Sequence, residues 1–598
     1  MHRETCNEDT LLEKAALFGV ALLIIAVAIA IVVPPAERYE ISIYGAYPFY
    51  FWICLVGAML VGALVILGSA VQSTGRSWIF GLCLILISNA LLLSLPFVRG
   101  YYMYFRGDPL SHIGYALDIV NSGEVFGNIY PLTHLLAVTL STATGWELRT
   151  VAMFLPLVLS VLYFGAMFYL LARLFECRQQ ILLVLPFTML PVMGRAHTEF
   201  RPFGFAVLLL TLVLYLFVAS QRTSAIGFRV AFVVTLVSII LYHPLVGIFT
   251  IGIFAIWFLS RYIPRVHTSD LTPTNVVSIS AVIFFTWYSN FTGIILRFDF
   301  VYESIFGLGG GNSPADNYTQ TVNEASPPLI DIVRVAVFRL GIEFLLFALG
   351  FAFIAAMTYI LWKGRSNVGT FIFAFAMALA VFSLGGLAFL LVDLIVPHER
   401  PFQIGKIFAT ILVGRLFYVL LKQIEWPLYE SKIRKSVGVI LIVTLILLTG
   451  LSVSGAHLSP VEAESNHQIT EMQFSSAAWM AEHDTTADTY LEASFSYYRY
   501  SHALYGLRTG PEDTPSFQRS PDHFNYDVDT FMGSNYTNNH YLLISHRARI
   551  FYPEIYPRFQ ENWRFTPEEF DRLEQDRTVT RTYDNGDQTQ YLIEGEIE

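Results

Sequence analysis

Apolar stretches of about 18 to 25 residues, nearly free of charge, recur along the first three-quarters of this 598-residue chain and decide which solvent it folds in. Such runs match the thickness of a bilayer, whereas helices in soluble cores seldom stay apolar for so long. About thirteen candidate spans result, near residues 11–33, 48–69, 78–97, 149–172, 180–194, 203–220, 228–242, 245–260, 275–296, 332–361, 368–396, 402–424 and 437–454. Three of them, 180–194, 228–242 and 245–260, would rise only about 22 Å, which predicts broken or shallow helices sheltered by their neighbours. Only 14% of the residues are charged, against about 25% in a typical soluble chain, so a wholly soluble enzyme is excluded.

The net charge of −10 is unevenly placed. Before about residue 455 there are 27 basic and 23 acidic side chains, and after it 10 and 24. The chain therefore divides into N-terminal spans (1–98), a first large loop (99–148), the remaining spans (149–454) and an acidic soluble tail (455–598). The tail has no lysine, a composition suited to high salt and a hint of a halophilic source. Its end, Val579 to Ile593 around Asn585-Gly586, reads as a β-hairpin, and the tail as a small α/β domain. The strongly acidic soluble part speaks against nucleic-acid binding. The four cysteines, Cys6, Cys54, Cys83 and Cys177, form no CxxC pair and provide no disulfide framework for the exported segments. The first run ends at Pro34-Pro35 without a small-residue cleavage pattern, and reads as a retained anchor.

With the N-terminus cytoplasmic, every inner loop carries a cation: Arg76, Arg173, Arg178, Arg222, Arg229, Arg261, Arg265, Lys363, Arg365, Lys422, Lys432, Arg434 and Lys435. An odd number of spans then places the tail outside the cell. The outer loops hold Arg99, Arg106, Arg195, Arg201, Arg297, Arg400 and Lys406, exceptions that an anionic ligand on that side would explain.

The densest polar cluster is Phe105-Arg106-Gly107-Asp108-Pro109-Leu110-Ser111-His112, followed by Asp118. Asp108 and His112 are spaced i,i+4, which sets them on one face of a helix, able to share a proton or hold a metal. Asp-Pro is also a favoured helix start, with Asp108 as N-cap and Pro109 at N1, and the two roles are compatible. Asn128-Ile129-Tyr130-Pro131-Leu132-Thr133-His134 closes the segment. Two further groups stand at outer helix boundaries: Arg195, His197, Glu199 and Arg201, and His398-Glu399-Arg400 with Lys406. Snorkelling and ion pairing are the structural alternative for both. Within the spans, Arg339 and Glu343 are placed to neutralise each other, and Arg334 to reach a phosphate.

The acid in the first large outer loop, the His four residues on, the Tyr-Pro-x-x-His element and the many spans resemble the GT-C superfamily of polytopic glycosyltransferases. Tyr242-His243-Pro244-Leu245 is similar to the His-Pro element of archaeal members. The resemblance implies an α-helical polytopic fold with a C-terminal extracytoplasmic domain. It also implies a sugar donor carried on polyprenyl or dolichyl phosphate, and an acceptor that is a lipid-linked or protein-linked glycan. The loop carboxylate, here Asp108, would be the base, with His112 beside it, and a divalent cation is the one cofactor left open. Arg400, His398, Lys406 and Arg334 would then meet the donor phosphate. Arg106, Asp118, His134, His197, Glu199, Arg201, His243 and Glu399 would make up the remaining polar wall. Pro109 stands where a second adjacent acid is usual, and the tail has no Trp-Trp-Asp motif, which argues against transfer of a whole oligosaccharide to asparagine.

Two other classes compete. A transporter or flippase for lipid-linked glycans also uses intramembrane charges and broken helices, though no GxxxxGK[ST] loop offers ATP use. A non-catalytic envelope-assembly protein is the third. In the tail, Tyr497-Tyr498-Arg499-Tyr500 and Phe524-Asn525-Tyr526 suit either sugar stacking or core packing.

Overall fold

A computed structural model describes residues 2–71, 75–125, 127–267, 275–305, 313–364, 368–393, 396–422, 432–483, 489–493, 497–508 and 516–595. The glycine run at 309–311 lies outside the described residues, as does Arg365. The helices of the first part are α1 (His2–Val32), α2 (Ile43–Ala46), α3 (Phe49–Val71), α4 (Trp78–Val98), α5 (Asp108–Ser122), α6 (Pro131–Thr144), α7 (Leu148–Leu174), α8 (Arg178–Thr188), α9 (Pro202–Arg222), α10 (Ile226–Tyr242), α11 (Pro244–Ser260), α12 (Val276–Tyr288), α13 (Thr292–Ile305), α14 (Pro314–Ala325), α15 (Leu329–Trp362), α16 (Thr370–Leu391), α17 (Glu399–Lys422) and α18 (Lys432–Ser454).

Among the described residues nine of these helices, α1, α3, α4, α7, α9, α15, α16, α17 and α18, are long and apolar enough to cross a membrane. The helices α12 and α13 pass the same test only as a pair, bent by 116°, the geometry of a broken span or a re-entrant loop. The expected spans near 228–242 and 245–260 are the 17-residue helices α10 and α11, too short to count alone. The one expected near 180–194 stops at Thr188, just after Pro186, as the 11-residue α8. The helix passes through Pro186 but ends ahead of Pro191, which disfavours helical backbone in the residue before it, so the run divides there and its remainder becomes irregular backbone covered by neighbours.

Lipid gives no hydrophobic drive to helix pairing, so close approach depends on small residues. At the α3–α4 crossing, a Cβ on Gly62 would lie 2.7 Å from the Gly81 carbonyl oxygen, and one on Gly81 2.5 Å from that of Gly62. The two backbones touch only because both positions lack side chains.

The tail adds α19 (Glu471–His483), α20 (Tyr497–Tyr505), α21 (His546–Ile555) and α22 (Pro567–Leu573) around a five-stranded sheet. Numbering the strands along the chain, β1 (Met103–Tyr104) lies in the first loop, β2 (Val266–His267) and β3 (Val368–Gly369) pair in parallel, and β4 (Gln468–Ile469) opens the tail. The sheet runs β6 (Ser516–Arg519), β5 (Thr489–Ala493), β7 (His540–Ser545), β9 (Gln588–Ile593), β8 (Val579–Asp584), with β5 parallel to both neighbours and β9 antiparallel to both of its own. The hairpin expected at the end is β8–β9, turned at Asn585-Gly586 with Gly586 at φ 91°. Phe524 is fully buried against Phe565 and Phe570, and Tyr526 donates to Asp576, so these aromatics are core.

The tail is stitched to the first loop. Strand β1 pairs antiparallel with β4 in the register Met103↔Ile469. Helix α20 lies on α5 so closely that a Cβ on Gly114 would be 2.4 Å from the His502 carbonyl oxygen. The Asp118 carboxylate accepts from the backbone N–H of Leu507 and of Arg508, both at 3.2 Å.

Candidate active site

Helix α5 begins where the chain leaves β1 through Gly107, whose φ of 73° is a left-handed value that side chains disfavour. Gly107 is the N-cap, and Asp108 is the first helical residue with Pro109 behind it. Asp108 was expected to cap the helix itself, but no side-chain cap bond forms there, so its carboxylate is released from that role. The side chain is 68% exposed, and one oxygen is 2.8 Å from Arg499 Nη2 on α20. Arg499 is held in turn: its Nη1 donates to Ser111 Oγ at 2.6 Å, and its guanidinium lies 4.7 Å over the Tyr498 ring. Ser111 also meets His502 Nδ1 at 2.9 Å.

One turn on, His112 Nδ1 is 3.1 Å from His134 Nε2, and His134 Nδ1 is 2.7 Å from Asn128 Nδ2. Burial, reinforced by Arg201 and Arg499 and opposed by Asp108, pushes the His112 imidazole down to about 3. Burial holds His134 well below the ordinary histidine value, with His112 adding to the effect. The rings continue into the bundle. Tyr130 meets the His112 ring edge-on at 5.7 Å and stacks on His243 at 5.3 Å. His243 sits at the α10–α11 break, where its Nδ1 accepts the Leu245 N–H at 3.2 Å, and it meets Phe203 at 5.3 Å. Arg400 lies 4.9 Å over the Phe203 ring. Four ring contacts thus connect the Asp108 helix to the first turn of α17.

The 194–201 segment, between α8 and α9, takes part in two further groups. Arg201 Nε is 2.7 Å from the buried Glu199, whose other oxygen is 2.7 Å from His467 Nδ1 of the tail. Burial alone would raise Glu199. Arg201 first, then His467, with Arg195 behind, outweigh it and hold the carboxyl down at about 2. Burial lowers His467, while Glu199 opposes that shift. His197 is fully buried, with Nδ1 2.8 Å from Ser160 Oγ and its ring stacked on Phe164.

The expected partnership of Arg339 with Glu343 does not form. Arg339 sits 3.9 Å from Glu399 and 3.7 Å from Glu464, while Glu343 takes Lys406 at 2.7 Å. The helix spacing permits an i,i+4 pair, but both side chains find partners on neighbouring elements. Arg334 pairs with Asp331 one turn away at 3.4 Å, and Arg558 of the tail reaches the same carboxylate at 3.5 Å. His398 lies 3.7 Å from Glu399.

Several residues grouped by sequence therefore have separate tasks. His112, His134, His243 and Arg400 line one continuous set of contacts that starts one turn along α5 from Asp108, and the charges of Asp108 and Arg201 both act on His112. Lys406, Glu399, His398 and Arg334 belong to ion-pair clusters. Arg106 and Asp118 fasten the tail: Arg106 Nη2 donates to the Gln468 carbonyl at 2.6 Å and to Gln473 at 3.0 Å. Arg99 is bound to Glu40. Arg99 and Arg106 thus find their partners within the chain. Sequence reasoning placed Arg499 in an aromatic cluster of the tail and missed its pairing with Asp108, because only the docking of α20 on α5 brings the two together. It also missed Asn128, whose role needs the His134 geometry.

A divalent cation does not fit this donor set. Among the described residues no three His, Cys, Asp or Glu side chains gather as a metal would need. Asp108 faces a guanidinium, and the His112 nitrogen nearest His134 is already engaged.

No family model matches the sequence, and no curated protein matches it. Solved structures similar in fold include ArnT from Cupriavidus metallidurans in the apo state, at TM-score 0.43 and 11% identity, covering 86% of this chain and 98% of that one. The same protein bound to undecaprenyl phosphate gives TM-score 0.42 and 12% identity over the same shares. Overlap and identity at this level transfer no residue and no role.

Proposed function

We propose that this chain is a membrane glycosyltransferase of the GT-C type, moving one sugar from a polyprenyl- or dolichyl-phosphate donor to a lipid-linked or protein-linked glycan outside the cell. The observation that carries the reading is the Asp108 carboxylate, exposed at the head of α5 and paired with Arg499, with a wall of rings running from His112, one turn on, to Arg400. In the reaction Asp108 accepts the proton of the acceptor hydroxyl. The acceptor oxygen bonds to the sugar's anomeric carbon from the face opposite the leaving group. The bond from that carbon to the phosphate oxygen breaks, and the lipid phosphate leaves with the electron pair and inverted configuration behind it. Arg400 and Arg201 supply positive charge for the departing phosphate. No step needs a metal.

Proteoliposomes given a synthetic polyprenyl-phosphate sugar test the reading. A new glycosidic product supports it. Movement of the lipid between leaflets with every glycosidic bond intact would assign the chain to translocation and overturn it.

A further inference from the structure

The hydrogen-bond relay behind Asp108 has a defined direction. Asn128 Oδ1 accepts the backbone N–H of Tyr130 at 2.9 Å. That fixes the amide orientation, since a flipped side chain would set NH2 against N–H. Asn128 Nδ2 therefore donates to His134 Nδ1, 2.7 Å away, and that nitrogen is bare. In a neutral imidazole the proton then sits on Nε2, which donates across 3.1 Å to His112 Nδ1. His112 Nδ1 is bare in turn, and its proton is on Nε2. Among the described residues no hydrogen bond occupies that Nε2.

The groups acting on His112 favour this neutral form: Arg201 ahead of α9 and Arg499 on α20 oppose a second proton, His134 on α6 offers its own N–H, and Asp108 alone favours charge. The ring is therefore neither a base toward substrate nor a ready metal ligand. Its free function is one N–H, in a site where the guanidinium groups of Arg201 and Arg499, each already paired with one carboxylate, also act on the ring, and an N–H in that setting suits an anionic oxygen.

We infer that His112 is a fixed neutral Nε2–H donor, aligned by the Asn128–His134 relay, that hydrogen-bonds a phosphate oxygen of the substrate beside Asp108. Asn128 and His134 are positioning residues. The inference rests on the proposed glycosyl transfer only for the identity of the phosphate, which belongs to the departing lipid.

The test is magic-angle-spinning NMR of the full-length protein labelled with 15N-histidine in liposomes, with His112 identified by loss of its signals in His112→Gln. At pH 7 the expected state is a protonated Nε2 and a bare Nδ1, with the Nε2 signal moving on addition of decyl phosphate and not of decanol. Asn128→Asp should reverse the relay, because a carboxylate accepts from His134 Nδ1, and leave His112 with its proton on Nδ1. In transfer assays His112→Phe and Asn128→Asp should each lose about 10²-fold in kcat, while His112→Gln, which keeps an N–H at the ε position, should stay within several-fold of the parent. An Nδ1–H or doubly protonated His112 at pH 7 in the parent protein overturns the inference, as does an equal response to decanol. These readings need no turnover: the expected tautomer and phosphate response in a protein that transfers no sugar would refute the glycosyltransferase reading and leave the donor role standing.

Discussion

Replacing Glu199 by Gln removes the one buried carboxylate that ties the 194–201 segment to the tail through Arg201 and His467. A free glutamate titrates at 4.5 and this one is held at about 2, so its interactions contribute about 3 kcal/mol at pH 7. The folded-state value is depressed, so the contribution is complete above the unfolded value and is lost as pH falls through the folded one. At pH 3 less than half of it remains. Thermal unfolding of purified parent and variant, followed by intrinsic fluorescence, should show a gap in melting temperature that is constant from pH 7 to about 5. That gap should shrink by more than half by pH 3 and close near pH 2. A gap that is absent at pH 7, or the same at pH 7 and pH 3, would refute the assignment of Glu199 as a charged clamp.

Lys406→Met leaves Glu343 without its counter-charge in a side chain only 18% exposed; a loss of about 3–5 kcal/mol is expected, most of it recovered in the double variant with Glu343→Met, as read by denaturation of the purified proteins. Gly114→Val drives side-chain atoms into the His502 carbonyl and should lift α20 from α5, seen as faster limited proteolysis of the tail together with lost transfer. Arg499→Ala removes an ion pair whose carboxylate is largely exposed, so stability should change by under about 1 kcal/mol while kcat falls. Arg400→Ala should raise the KM for the lipid-phosphate donor more than it lowers kcat.

The membrane part was legible because hydrophobic length is a one-dimensional signal: α3, α4, α7, α9, α16 and α18 lie close to where their apolar runs place them. The tail hairpin was legible through Asn585-Gly586, where Gly586 takes a left-handed backbone that few residue types accept. The i,i+4 spacing of Asp108 and His112 was equally local, and α5 delivers it. Partnerships across the chain were not legible. Arg339 and Glu343 satisfy the spacing rule, yet Glu399, Glu464 and Lys406, brought in by packing, compete for them. Arg499 stands 391 positions beyond Asp108 and reaches it only because Gly114 lets α20 settle onto α5. The capping role read into Asp108 went to Gly107, since the strand β1 enters the helix through a backbone turn that glycine adopts at least cost.

The central claim is that the Asp108 carboxylate takes the acceptor proton. Purified parent protein and Asp108→Asn, given the same polyprenyl-phosphate sugar and acceptor, should release lipid phosphate at rates differing by at least about 10²-fold, with donor binding and melting temperature unchanged. Equal release by the two proteins would contradict it.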